Sequence, residues 1–113
     1  FPFPVGAANV YRVPAGGGAP TVYASGFTNI VDVAFGKDGS LYVLEIAKEG
    51  LLAGGEGLPV GALIRVAPDG THTEIASEGL LAPGGVTVGP DGALYVTNMS
   101  ILPGAGEVLR IQP

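Results

Sequence analysis

The feature that most constrains the fold is an internal repeat with a period of 53 residues. When the sequence is shifted by that period, 11 of the 34 residues in the segment Arg12–Glu45 are identical to their counterparts, without a gap. The longest identical runs are Asp38-Gly39 with Leu41-Tyr42-Val43, and Asp91-Gly92 with Leu94-Tyr95-Val96. A fixed period of this length indicates a chain built from repeated supersecondary units, each too small to bury a core alone.

Each unit has the pattern of short strands joined by tight turns. The runs at 41–44 and 94–97 are rich in residues that favour strands, and three Asp-Gly dipeptides are typical of hairpin turns. Gly supplies 20 and Pro 10 of the 113 residues, and no segment keeps a helical period. The sequence therefore predicts an all-β chain with nine strands, at about 9–14, 20–25, 30–36, 40–46, 62–67, 71–77, 84–89, 93–98 and 106–111.

Four-stranded units of this length are typical of β-propeller blades. If the strands of a blade are labelled a to d from the centre outwards, the nine strands read c-d, a-b-c-d and a-b-c. Residues 1–113 then form a single propeller segment of about two and a quarter antiparallel blades. Its parts are the outer strands of a first blade at 9–25, a complete blade at 30–77 and the inner strands of a last blade at 84–111.

A propeller needs roughly four to eight blades to close its ring. The chain is therefore expected to join either the remaining blades of a longer propeller or identical copies of itself. Its net charge of −5, with five Lys and Arg, argues against nucleic acid and anionic membranes as partners, and no apolar run is long enough for membrane insertion. The absence of Cys and the single His disfavour thiolate and zinc sites.

The blade pattern Gly-x-x-x-Arg-Val, followed after a turn and a strand by Val-x-Val-Gly-Pro-Asp-Gly-x-Leu-Tyr-Val, resembles six-bladed propellers of the NHL and gluconolactonase-like kind. Four runs resemble the C-terminal part of the ScyD/ScyE family, namely Pro4–Val13 (PVGAANVYRV), Ile30–Glu45 (IVDVAFGKDGSLYVLE), Gly61–Gly70 (GALIRVAPDG) and Gly106–Ile111 (GEVLRI). That family consists of bacterial propellers with predicted export. The resemblance implies the propeller fold and an extracellular or periplasmic location more than it implies an activity.

Asp32 is the most distinctive carboxylate of the sequence. It alternates with Val31 and Val33 on a predicted innermost strand, so it points away from that apolar pair. Its counterpart in the next repeat is Gly85, so Asp32 breaks the repeat. Two roles are open: a ligand for a cation or polar substrate in the central channel, or a hydrogen-bonding side chain that ties neighbouring blades or caps a loop.

Glu45 and Asn98 are equivalent in the repeat and follow the second strands of their blades. The resemblance to gluconolactonase-like propellers, which hold a divalent cation with Glu, Asn and Asp side chains, implies Asp32, Glu45 and Asn98 as candidate metal ligands. Oxygen donors of this kind suit Ca²⁺ or Mg²⁺. No other cofactor and no catalytic residue is indicated. The alternative is that Glu45 and Asn98 are solvated polar groups at the ends of loops.

The remaining recurrent charges have a structural interpretation. The aspartates of the three Asp-Gly turns are expected to hydrogen-bond the turn backbone. An arginine recurs in each predicted strand c, which favours packing at a blade edge or a salt bridge with a neighbouring blade. These arginines are Arg12, Arg65 and Arg110.

Propeller repeats without a concentrated catalytic set favour a non-catalytic binding or scaffold segment, and the resemblance to the ScyD/ScyE family implies that the propeller is a secreted bacterial one. Its contacts are then expected in the loops at 51–60 and 101–105. One alternative is a divalent-metal-assisted hydrolase or lactonase of the gluconolactonase-like kind. Another is a self-assembling structural protein in which open blade edges pair between chains.

Overall fold

The computed structural model describes residues 5–50, 59–99 and 104–113, and in these ranges the chain consists of strands, turns and loops. The strands are β1 (Ala8–Arg12), β2 (Thr21–Phe27), β3 (Ile30–Phe35), β4 (Leu41–Glu45), β5 (Ala62–Val66), β6 (His72–Ala76), β7 (Gly85–Val88), β8 (Leu94–Asn98) and β9 (Glu107–Ile111). Each begins and ends within two residues of its predicted position. No helix that could span a membrane occurs in these ranges.

The strands form three antiparallel sheets in the order of the sequence. They are a two-stranded sheet β1-β2, a four-stranded sheet β3-β4-β5-β6 and a three-stranded sheet β7-β8-β9. This is the order c-d, a-b-c-d and a-b-c, so the all-β prediction of partial propeller blades is confirmed. The three sheets are called the first, middle and last blade below.

The Asp-Gly turns close these hairpins as expected. Gly39, Gly70 and Gly92 have φ values of +86°, +93° and +82°, a region that residues with a Cβ rarely adopt. The aspartate before each glycine accepts a hydrogen bond from the backbone N–H two residues further along, at 2.9–3.0 Å. The prediction that these aspartates bond the turn backbone is confirmed.

The core lies in two layers between consecutive blades, because successive residues of a strand point to opposite faces of its sheet. Leu41 and Val43 of β4 face the first blade, whereas Tyr42 and Leu44 face the last blade. All five residues of β4 are consequently buried. The first layer contains Ala24, Phe27, Leu41, Val43 and Val66, and the second contains Tyr42, Leu44, Leu63, Leu80, Val86, Leu94 and Val96.

Candidate functional site

Asp32 connects the innermost strands of two blades. Its Oδ2 accepts a hydrogen bond of 2.9 Å from the backbone N–H of Val86 on β7, and its Oδ1 accepts one of 2.9 Å from the N–H of Val33. A Cβ at Gly85 would lie 3.5 Å from Oδ2. The structure therefore shows Asp32 tying neighbouring blades, which is one of the two roles that the sequence left open.

Glu45 is a buried carboxylate at the end of β4, with 4% of the residue exposed. Its Oε2 accepts a hydrogen bond of 2.6 Å from the backbone N–H of Thr28, in the connection between β2 and β3. Burial raises the pKa of Glu45, and the negative charge of Glu74 adds to this, whereas the Thr28 N–H and the Lys48 ammonium oppose it. The carboxyl group is therefore held in surroundings that disfavour its charge.

Asn98 occupies the corresponding place at the end of β8 and is 1% exposed. Its Oδ1 accepts a hydrogen bond of 2.8 Å from the backbone N–H of Leu81, and its Nδ2 donates to the Gly79 carbonyl at 2.8 Å. The same Nδ2 also donates to Glu107 Oε1 at 3.1 Å. Every polar atom of this side chain thus has a partner.

The two side chains perform one task in two repeats. Thr28 and Leu81 are 53 positions apart, as are Glu45 and Asn98. In each case the side chain satisfies a backbone N–H of the segment that leads from strand d of one blade to strand a of the next. The interpretation of Glu45 and Asn98 as solvated loop ends is wrong, because this segment covers the end of strand b and its N–H must find a partner there.

The hydrogen bonds of the three candidate ligands lie at two junctions between blades. Asp32 reaches from the middle blade to the last blade, Glu45 contacts the segment before β3, and Asn98 contacts the segment before β7. One oxygen of each side chain already accepts a hydrogen bond from a backbone N–H of a blade junction. Among the described ranges no group of three or more His, Cys, Asp or Glu side chains is arranged to hold a metal ion. The Ca²⁺ site at Asp32, Glu45 and Asn98 stays a prediction.

A second polar arrangement occurs in both the middle and the last blade. Arg65 Nη2 lies 3.0 Å from Asp38 Oδ2 in the middle blade, and Arg110 Nη2 lies 3.1 Å from Asp91 Oδ2 in the last blade. Of the two roles expected for the recurrent arginines, the salt bridge with a neighbouring blade is wrong for Arg65 and Arg110, because each binds the turn of its own blade. The reason is the register: strand c pairs with strand b, and the turn that holds the aspartate leads into strand b.

These ion pairs contribute to the electrostatics of the turns. The pKa of Asp38 is lowered first by the Ser40 N–H and then by Arg65, and that of Asp91 first by the Ala93 N–H and then by Arg110. Tyr95 Oη also donates to Asp91 Oδ2 at 3.0 Å. Both aspartates are exposed, so we interpret these groups as a structural clamp rather than as a reactive centre.

Comparison with solved proteins agrees with the blade arrangement. One solved X-ray structure, described as a candidate gluconolactonase, superposes on this chain with a TM-score of 0.61. The chain has the fold of β-propeller blades. The match covers 96% of this chain and 44% of the other protein at 22% identity. The chain thus spans less than half of that propeller, and the likeness shows the fold alone.

No family model matches the sequence, and no curated protein matches it either.

Proposed function

We propose that the chain is a non-catalytic binding or scaffold segment of a secreted bacterial β-propeller. In this proposal the complete propeller has six blades, belongs to the ScyD/ScyE family and works outside the cytoplasm. The observation that supports it is the use of the polar candidates Asp32, Glu45 and Asn98. Each accepts a hydrogen bond from a backbone N–H at a junction between blades. These hydrogen bonds hold neighbouring blades together.

The energetics of such bonds favour a structural role. A buried N–H that loses its acceptor costs about 1–3 kcal/mol, and Val86, whose N–H binds Asp32, is buried. Removing Asp32 therefore weakens the contact between the middle and last blades. Ligand contacts are then left to the loops at 51–60 and 101–105, which fall mainly outside the described residues.

The proposal is tested with two substitutions at Asp32. Asp32→Ala removes the acceptor for Val86 N–H and is expected to lower the free energy of unfolding by about 1–3 kcal/mol. Asp32→Asn keeps an acceptor oxygen and is expected to lower it by less than half as much. Denaturant titration measures both. Hydrolysis of a lactone by the chain, abolished by Asp32→Asn with unfolding unchanged, would contradict the proposal.

The second candidate is a divalent-metal-assisted hydrolase or lactonase. The likeness to the candidate gluconolactonase favours it. A ligand that binds only the folded state at 100 times its Kd stabilises that state by about 2.7 kcal/mol, and weak extracellular Ca²⁺ sites have a Kd of about 0.1–1 mM. The scaffold proposal predicts no rise in Tm at about 10 mM Ca²⁺. A rise that Asp32→Asn removes and the exposed control Asp69→Asn retains would support the lactonase.

The third candidate is a self-assembling structural protein. It is favoured by the strand edges that have no neighbour in the described part of the chain, among them one on β1 and one on β9, where a four-stranded blade would continue. Unpaired edges of this kind readily pair with another chain. In that case the mass in solution, rather than any activity, is the decisive quantity.

A further inference from the structure

β1 is a strand c whose inner neighbour is not part of the described sheet. It pairs with β2 on one side only. The equivalent strands β5 and β9 have strand b of their own blade, β4 or β8, on that inner side. The repeat therefore predicts that a strand b fits beside β1, and it predicts the register of that pairing.

The register in the two complete examples is the same. Tyr42 lies opposite Arg65, and Tyr95 lies opposite Arg110. In both cases an aspartate four residues before the tyrosine binds the arginine. Arg12 occupies the equivalent position on β1, and within the described ranges no salt bridge to it is found.

The exposure of apolar residues on β3 also indicates that a strand b is missing beside β1. Val33 of β3 is 39% exposed, whereas its repeat equivalent Val86 on β7 is 7% exposed. Val86 is covered because it packs with Tyr42 and Leu44 of the middle blade. Phe35 is 61% exposed and touches only the edge of Tyr23 among aromatic rings in the described part. The face of β3 toward the first blade thus lacks the cover that a strand b supplies elsewhere.

We propose that the inner edge of β1 binds a β-hairpin with the pattern Gly-x-Asp-Gly-x-Leu-Tyr-Val. The second strand of the hairpin pairs with β1, its tyrosine lies opposite Arg12, and its turn aspartate binds the Arg12 guanidinium. The hairpin covers Val33 and Phe35 of β3. This inference rests on the proposed binding function and names the partner of that function by its chemistry.

The occupant is a further hairpin rather than a second copy of this chain. The chain has two hairpins of this pattern, at 36–43 and 89–96. Their second strands, β4 and β8, already have β5 and β9 on the edge in question. A second copy would have to displace one of these strands, whereas an additional hairpin needs no displacement.

The test extends the full chain at its amino terminus with a copy of its own residues 84–98. The seven residues before β1 then connect the added hairpin to β1, much as the eight residues 99–106 connect β8 to β9. Hydrogen exchange of the β1 amides, followed by NMR, is the readout. We expect exchange of the inward-facing amides to slow by at least about fivefold, the factor of a single hydrogen bond.

Substitutions then identify the Arg12 contact. Two substitutions in the extended chain are compared, Arg12→Gln and the change of the added turn aspartate to Asn. Each is expected to reduce the slowing of hydrogen exchange at the β1 amides by about two- to fivefold, as for an exposed ion pair. The double variant is expected to lose no more than either single variant. In the chain without the extension, Arg12→Gln is expected to leave exchange of β1 unchanged, which makes it the matched control.

Two results would overturn the inference. One is unchanged exchange of β1 in an extended chain whose β4 and β5 amides remain protected. The other is an equal effect of Arg12→Gln with and without the extension. If the extended chain does not fold, the peptide of residues 84–98 is added to the original chain, and absence of NMR shift changes at β1 has the same meaning. Lactone turnover would contradict the proposed function and leave the hairpin result intact.

Discussion

At the scale of single residues, Glu45 and Asn98 show how one structural position accepts two chemistries. Asn98 accepts from Leu81 and donates to Gly79. A carboxylate at the same position can accept but has no proton to donate. Glu45 does accept from Thr28, but its charge is buried and its pKa is raised by that burial. The acceptor function is conserved between the repeats, while the cost of charge is specific to Glu45.

Glu45→Gln is expected to stabilise the protein at pH 7. The pKa of Glu45 is raised in the folded state. The stability that Glu45 contributes is therefore fully present at a pH below its pKa in the unfolded state, and it is lost as the pH rises through its pKa in the folded state. Glutamine keeps an acceptor for Thr28 without a charge, so the variant does not lose this stability. We expect a gain of roughly 1 kcal/mol at pH 7, and a smaller one near pH 4, from denaturant titrations.

Glu78→Gln is the control for this experiment, because Glu78 is exposed and the change in net charge is the same. It is expected to show no comparable gain in the free energy of unfolding. A parallel pH dependence of stability for the wild type and Glu45→Gln would show that the burial of the Glu45 charge does not limit stability.

At the scale of elements, each Asp-Gly turn is both a hairpin closure and an electrostatic site. The turn at Asp91 binds Arg110 of strand c, whereas the turn at Asp69 has its main partners in its own backbone and in Thr71. In both turns the backbone N–H is the first cause of a lowered aspartate pKa. The arginine is therefore an addition to a turn that already favours the carboxylate.

Arg110→Gln is expected to raise the pKa of Asp91 but to leave it below the ordinary value of 3.8, because the Ala93 N–H remains. A carboxyl group with a lowered pKa contributes stability that is present at a pH above its pKa in the unfolded state and is lost as the pH falls through its pKa in the folded state. The variant is therefore expected to lose less stability in acid than the wild type. Carboxyl ¹³C NMR titration measures the shift, with Asp69 as the internal control. An unchanged Asp91 titration would contradict the clamp.

The strands were predictable because their signals are local. Asp-Gly turns, apolar alternation and the 53-residue repeat lie within short stretches, and they placed β4 and β8 within one residue of their observed ends. The burial of Glu45 and Asn98 was not predictable in this way. It depends on where the segment from strand d folds over strand b, and this is set by contacts between residues 17 positions apart.

The ion-pair partners of Arg65 and Arg110 were also predictable from the sequence. In the middle and last blades, an aspartate in the a–b turn comes four residues before a tyrosine, and the tyrosine pairs with the arginine of strand c. Register arithmetic from the turn would have placed Asp38 beside Arg65. By contrast, the hydrogen bond that Val86 N–H donates to Asp32 crosses between blades. A repeat pattern does not predict how its units pack against one another.

At the scale of the whole molecule, the described blades differ in how well they are covered. The middle blade has neighbours on both faces and a fully buried β4. The inner edge of β1 and the β3 face around Val33 and Phe35 lie open. This difference is the basis of the proposed binding of a hairpin at β1, in which the open surface takes a further hairpin of the same repeat.

The most direct test of this account is the mass of the chain in solution, measured by light scattering after size exclusion over a range of concentrations. Because we propose that the open surface takes an additional hairpin rather than a second copy, we predict a mass of 11.2 kDa that does not change with concentration. A mass of three times that value, rising with concentration, would mean that copies close a ring among themselves. It would contradict the account and support the self-assembling alternative.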